Sequence, residues 1–327
     1  MPADASVRNF RRRLLFPSTM LARLALAVLL FLAVGAMPAG AAPVVIGMGE
    51  QLPSMFSDPL YQRLEMTHVR YLAPWDTLEH PRQRAWLDAW MAAARQAGAR
   101  VTLSFRRSRT PGSGVPAPAA FRRAFLGFRE RYPEVEAWIV WNEANHPLAK
   151  SARRPGRVAR LFDVVARNCP GCKVVGADVL DISGMVAWVR AFERQAHERP
   201  RIWGLHNYVD VQHGRSAGTR SLLAATRGSV WFTETGGWLV RRNYRRGRVV
   251  REFRSSASAA AAATRHALGL ACLSRRIRRV YLYNWQAPRR VTTWDSGFVG
   301  PRGRPRPAYD LLLRHVRRAG GPYVHCD

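Results

Sequence analysis

From residue 44 to residue 318 the chain repeats one pattern eight times: a short apolar run, then a stretch that can form a helix. The runs cover 44–48, 67–72, 100–105, 137–141, 173–178, 201–206, 229–234 and 279–285. The helical stretches cover 58–65, 81–97, 119–131, 155–167, 183–196, 219–227, 255–274 and 307–318. A run such as Ala-Trp-Ile-Val-Trp at 137–141 has no polar alternation. Both faces of such a strand must be covered, as in a parallel sheet wrapped by helices. Within 81–97, Trp86, Leu87, Trp90, Met91 and Ala94 fall on one face at spacings of three and four, and Gly98 follows as a C-terminal stop. Asp58 before Pro59 marks a helix start. No linker interrupts the series. The sequence therefore predicts an α/β fold, a single (β/α)8 barrel over residues 43–327. An open dinucleotide-binding sheet is excluded, because Gly47 and Gly49 lack the remaining glycine of that fingerprint.

Residues 1–42 read as a signal peptide. Arg8, Arg11, Arg12 and Arg13 form a positive region, 24–34 is apolar, and Ala39, Gly40, Ala41 and Ala42 are small enough for cleavage. The apolar part is short for a membrane span. The expectation is export, to the cell envelope or beyond, with no stable membrane insertion after cleavage; an uncleaved signal anchor is the alternative. Export makes two disulfides the default for four cysteines. Of the three possible pairings, Cys169 with Cys172 and Cys272 with Cys326 is preferred. The CxxC motif closes a helix rather than opening one, which argues against thiol redox chemistry.

The formal charge is +30, and only two of the 52 basic residues are lysine, Lys150 and Lys173. The arginines are spread along the chain without a nucleic-acid motif, so no nucleic-acid partner is expected. One local concentration stands out: Arg241, Arg242, Arg245, Arg246, Arg248 and Arg251, in what reads as a long loop after strand seven. A solvated loop is the plain reading, and preference for an anionic glycan the sharper one.

In a (β/α)8 barrel the chemistry gathers at the C-terminal strand ends. Those ends carry Glu50 and Gln51, Arg70 and Trp75, Phe105 and Arg106, Asn142 and Glu143, Asp178 and Asp181, His206 and Tyr208, Glu234, and Trp285. Glu143 and Glu234 end strands four and seven, which face each other across the barrel. Glycoside hydrolysis needs two such carboxyls, one to donate a proton and one ionised. Asn142 and Asn145 beside Glu143, and Arg70 and Tyr208 near Glu234, are placed to set the two apart. Trp75, Trp238, Trp285 and Trp294 are candidates for stacking on a sugar ring. The chemistry requires neither a metal nor an organic cofactor.

These motifs resemble those of clan A glycoside hydrolases, most closely family 39 and the related family 5 group. Trp141-Asn142-Glu143-Ala144-Asn145 is similar to a strand-four motif whose Glu is the acid/base and whose Asn binds the sugar 2-hydroxyl. Phe232-Thr233-Glu234-Thr235-Gly236 is similar to the strand that carries the nucleophile. His206-Asn207-Tyr208 matches a strand-six His-x-Tyr, Arg70 the arginine that keeps the nucleophile ionised, and Trp285 a strand-eight sugar platform. The tail, with Gly297-Phe298 and the segment 303–309, also resembles the end of these barrels. Ala144 departs from the pattern, which has proline there. The resemblance implies retaining hydrolysis of an oligo- or polysaccharide, with Glu234 as nucleophile and Glu143 as acid/base. A barrel that binds glycan without cleaving it, and a transglycosylase using the same pair, are the alternatives.

Overall fold

The structure is a computed structural model that describes residues 42–245, 248–291 and 293–326. The expected signal peptide lies outside the described residues, and residues 43–327 form one unit. The strands are β1 (Val44–Gly49), β2 (His68–Pro74), β3 (Arg100–Arg106), β4 (Ala137–Ile139), β5 (Lys173–Leu180), β6 (Ile202–His206), β7 (Ser229–Thr235), β8 (Val240–Arg245), β9 (Arg248–Arg254), β10 (Ile277–Tyr283), β11 (Trp294–Asp295) and β12 (Tyr323–Val324). Strands β1 to β7 and β10 run parallel in chain order, and β10 pairs back onto β1 to close the barrel. The eightfold alternation thus yields the (β/α)8 barrel expected from it.

The helices are α1 (Pro59–Gln62), α2 (Pro81–Gln96), α3 (Pro118–Arg131), α4 (Pro155–Asn168), α5 (Met185–Glu193), α6 (Tyr208–Gln212), α7 (Ala217–Ala225), α8 (Ala257–Leu270) and α9 (Pro307–Arg318). Five begin with proline at the first turn, where the missing N–H costs nothing. Leu87, Trp90, Met91 and Ala94 of α2 are buried as expected. Trp86 is not: it is 47% exposed, and its Nε1 donates to Gln51 O at 3.0 Å. The small residues of α8 allow close approach; a Cβ on Gly237 would meet Ala260 O at 2.1 Å.

Two differences from the sequence reading matter for the site. The last barrel strand ends at Tyr283, two residues before the expected end. The arginine-rich segment is a hairpin, not a loop: β8 pairs antiparallel with β9 and with β11. Its strand character is hidden in sequence because arginines replace the apolar alternation that marks a strand.

Both cysteine pairs join as expected, with Cα–Cα distances of 5.5 Å for Cys169–Cys172 and 5.3 Å for Cys272–Cys326. The second bond secures the tail just after β12, which lies antiparallel on β1. Among the described residues no helix is long and apolar enough to cross a membrane.

Candidate active site

The site is built around Arg70. Its β2 position points the side chain into the barrel, where it is fully buried. Nη1 donates to Glu234 Oε2 at 3.0 Å; Nη2 donates to Asp178 Oδ2 at 2.8 Å, Asn142 Oδ1 at 2.7 Å and Ser104 Oγ at 3.3 Å. A buried cation is tolerable only with such pairing. Burial works against the charge of Arg70, but Asp178 and Glu234 outweigh it and raise its pKa. Burial likewise disfavours ionised Asp178, yet Arg70 and His206 hold its pKa down at about 2. Asp178 Oδ1 also accepts from Thr233 Oγ1 at 2.5 Å. Gly204 leaves the space: a Cβ there would lie 2.0 Å from Asp178 Oδ1.

Glu234, on β7, receives Arg70 on one oxygen and the Tyr208 hydroxyl on the other, at 3.0 Å. Burial, then the charge of Glu234, raises the Tyr208 pKa well above its ordinary value, so the hydroxyl remains a donor. Tyr208 is positioned by Asp181, whose carboxylate accepts the N–H of Val209 at 3.0 Å and of Asp210 at 2.7 Å in the first turn of α6. Burial raises the pKa of Asp181 to about 6.

Glu143 lies beyond the paired part of β4, with φ of 48°, a left-handed conformation rare outside glycine. Two backbone bonds hold that turn: Asn142 N donates to Phe105 O and Ala144 N to Asp178 O, both at 2.8 Å. The second bond accounts for Ala144, since proline has no N–H to donate. Glu143 Oε1 is 3.3 Å from His206 Nδ1, and His206 Nε2 is 3.3 Å from Asp178 Oδ2. Burial disfavours charged His206, but Glu234 and Asp178 outweigh it and raise its pKa to about 10. Both ring nitrogens therefore donate. Burial pushes the Glu143 pKa up, and the His206 bond and charge outweigh it, so the net shift is down. The partner that tunes Glu143 is thus His206. The neighbouring asparagines do other work: Asn142 accepts from Arg70, and Asn145 clamps Leu180 through its N–H and carbonyl at 2.8 Å each.

One ligand atom each from Glu143, His206 and Glu234 lie within 4.8 Å of one another. This trio has the spacing to hold a metal ion. Charged His206, and Arg70 on Glu234, already supply the positive charge that an ion would bring.

The aromatic wall differs from expectation. Trp285 is no sugar platform: it is 1% exposed, its ring meets Tyr61 at 5.3 Å and Tyr309 at 5.9 Å, and Nε1 donates to Asp58 Oδ2 at 2.9 Å. The strand ends two residues early, and Trp285 is buried among these rings. Tyr283 takes the strand-end position; it is half-buried, and its hydroxyl donates to Gln51 Oε1 at 3.2 Å. Burial raises its pKa, so it stays neutral. Trp294, half-buried on β11, packs edge-on to Tyr208 at 4.8 Å, with Trp238 6.1 Å behind it. Trp75 is half-buried against the core. Glu50 is structural: its carboxylate accepts the N–H of Gln51 at 2.7 Å and of Gln286 at 2.9 Å, tying β1 to the segment after β10. Sequence reading listed Asp178 without a role and missed Ser104, Thr233 and Tyr283. The signal for Asp178 was available, as a lone acid inside an apolar strand.

No protein-family model and no curated protein matches the sequence. Solved structures do match. A GH5_18 protein from Streptomyces cattleya, in complex with GlcNAc, superposes with a TM-score of 0.62 at 17% identity, over 85% of this chain and 81% of that one. A GH5_18 protein from Bifidobacterium longum subsp. infantis gives 0.59 at 14% identity, over 84% and 79%. A β-glucuronidase from an uncultured Clostridium species gives 0.59 at 11% identity, over 84% of this chain and 50% of that one. At these identities the likeness is one of fold.

Proposed function

We propose that the chain is an exported retaining glycoside hydrolase of clan A type, with Glu234 as nucleophile and Glu143 as acid/base. The observation that carries this reading is the pair itself. Glu234 is gripped by Arg70 and Tyr208, both at 3.0 Å, and one of its oxygens lies within 4.8 Å of an oxygen of Glu143. A retaining pair is separated by about 5–5.5 Å, whereas an inverting pair needs about 6.5–9.5 Å to seat a water. Arg70 holds one oxygen of Glu234 by a charge-assisted bond and so fixes the group for attack on the anomeric carbon. Tyr208 aligns the attacking carboxylate. Glu143 protonates the departing oxygen, and in the second step takes a proton from water.

The proton needed in the first step is held by the Glu143–His206 pair. Imidazolium Nδ1–H faces Glu143 at 3.3 Å and can hand its proton to the carboxylate as the leaving oxygen draws it away. Asn142 spends its carbonyl on Arg70, which leaves Nδ2 for a sugar hydroxyl. Tyr283 and Trp294 replace Trp285 as ring-stacking surfaces. The names of the structural neighbours, among them a β-glucuronidase and a protein bound to GlcNAc, agree with a carbohydrate substrate. Both disulfides fit the oxidising compartment that export implies.

The test is a panel of aryl glycosides and cell-wall polysaccharides. Wild type should release product from at least one. Glu234→Gln should lose that turnover by roughly three orders of magnitude or more. For Glu143→Ala, azide should restore cleavage of activated aryl glycosides and yield a glycosyl azide of retained configuration. An azide product of inverted configuration would sink the nucleophile assignment.

A further inference from the structure

Arg106 closes β3 at the mouth of the barrel, and among the described residues no carboxylate forms an ion pair with it. Its side chain is half-buried, and no hydrogen bond, ion pair or ring contact among the described residues engages the guanidinium. The position is not loose. Arg106 O accepts from Trp75 N at 3.0 Å, and the preceding carbonyl, of Phe105, accepts from Asn142 N at 2.8 Å. Its charged and titratable neighbours are Arg107 and Arg109 on the same segment, Tyr283 at the end of β10 and Glu143 in the turn after β4. The two arginines repel it and outweigh the attraction of Glu143, which is itself bonded to His206. Burial and the two arginines accordingly lower its pKa.

Unpaired polar groups also occur at the ends of the neighbouring strands, Asp76 Oδ1 among them. Strands β1, β2 and β3 are consecutive in the sheet, and at their ends Gln51 Nε2 and Trp75 Nε1 are buried without a partner. Tyr283 occupies Gln51 Oε1, which fixes the amide with its donor end unused. Arg106 and the Gln51 amide both lie beside Tyr283, and their free donors are what an acceptor-rich anion would engage. The hairpin arginines are poorer candidates. Arg242 pairs with Glu252 at 2.5 Å, and Arg241 and Arg251 lie over the Phe253 ring at 5.8 Å and 4.4 Å.

We propose that Arg106 is the seat of an anion subsite, which binds a carboxylate or sulfate carried by a sugar of the substrate, so that the glycan cleaved is acidic. This rests on the glycosidase reading of the site. A guanidinium fork matches either group with two parallel N–H···O bonds. A neutral sugar leaves the cation unpaired, which should cost tenfold to about a hundredfold in kcat/KM.

The experiment uses uronic-acid polysaccharides, each paired with its carboxyl-reduced form, and sulfated polysaccharides, each paired with its desulfated form. Released reducing ends are measured for wild type, Arg106→Gln and Arg302→Gln, the last removing one charge from an exposed position. The proposal expects at least one charged polymer to be cleaved about tenfold or more faster than its neutral partner. Arg106→Gln should collapse that ratio to near one, and Arg302→Gln should preserve it. Which pair responds separates carboxylate from sulfate. Equal rates within every pair, or a ratio that survives Arg106→Gln, would overturn it. If no polymer is cleaved, the glycosidase reading fails on its own. The subsite is then judged by affinity electrophoresis of Glu234→Gln in gels that contain the same polymers. Retardation by a charged polymer that disappears on adding Arg106→Gln supports it; retardation indifferent to Arg106, or none, overturns it.

Discussion

At the scale of the residue, one guanidinium decides most of the site. Arg70 is the common donor to Glu234, Asp178, Asn142 and Ser104, so its loss leaves buried carboxylates facing each other. Arg70→Met should destabilise the fold by about 3–5 kcal/mol, measured by urea unfolding, because breaking a buried pair strands its partner. A change below 1 kcal/mol would mean that the network is not coupled to stability. Ala144 is a smaller case. Replacing it with proline removes the bond to Asp178 O and should cost about 1–3 kcal/mol. A stabilised Ala144→Pro protein would contradict the role given to that N–H. His206 and Asp178 make opposite pH predictions. The His206 pKa is raised to about 10 from an unfolded value of about 6.5, so its contribution is complete below pH 6.5 and is lost as pH rises through 10. The Asp178 pKa is lowered to about 2 from about 3.9, so its contribution is complete above pH 3.9 and is lost as pH falls through 2. The thermal midpoint should therefore fall between pH 7 and pH 10, and His206→Asn should flatten that slope. These residue types were legible in sequence as strand-end polar groups. Their bonds were not, because Arg70 and Asp178 are 108 positions apart.

At the scale of the element, the register of a strand decides which side chain reaches the site. The eighth barrel strand was legible as an apolar run, but its end was not. Tyr281, Leu282 and Tyr283 read in sequence like the start of the run that continues to Trp285. Pairing with β1, which stops at Gly49 opposite Tyr283, ends the strand there. The packing of β5 against β6 is equally specific. Gly204→Ala should push Asp178 off Arg70 and destabilise the protein by about 1–3 kcal/mol, read from thermal unfolding. Wild-type stability in that variant would show that the strands can part. The hairpin of β8 and β9 escaped sequence reading because its stabilising contacts are made by long basic side chains, not by an apolar face.

At the scale of the whole molecule, the tail is bonded back to the barrel. Cys272 and Cys326 are 54 positions apart, and closing a loop of that length restricts the unfolded chain by an amount worth about 4 kcal/mol. The three-residue separation of Cys169 and Cys172 is worth about 2 kcal/mol on the same argument. Cys272→Ser with Cys326→Ser should therefore lower the urea midpoint more than Cys169→Ser with Cys172→Ser; the reverse order would place the stabilisation in native contacts instead. The chain by itself determined the number and order of the barrel strands, their parallel pairing, and the two glutamates brought to one mouth. Those follow from local periodicity and from the rule that a parallel barrel presents its strand ends together. Tertiary structure alone decided that His206 tunes Glu143, that Trp285 is buried while Tyr283 reaches the site, and that Arg106 has no ion-pair partner among the described residues. Each of these depends on distances between residues far apart in sequence, and burial gives those distances their energy.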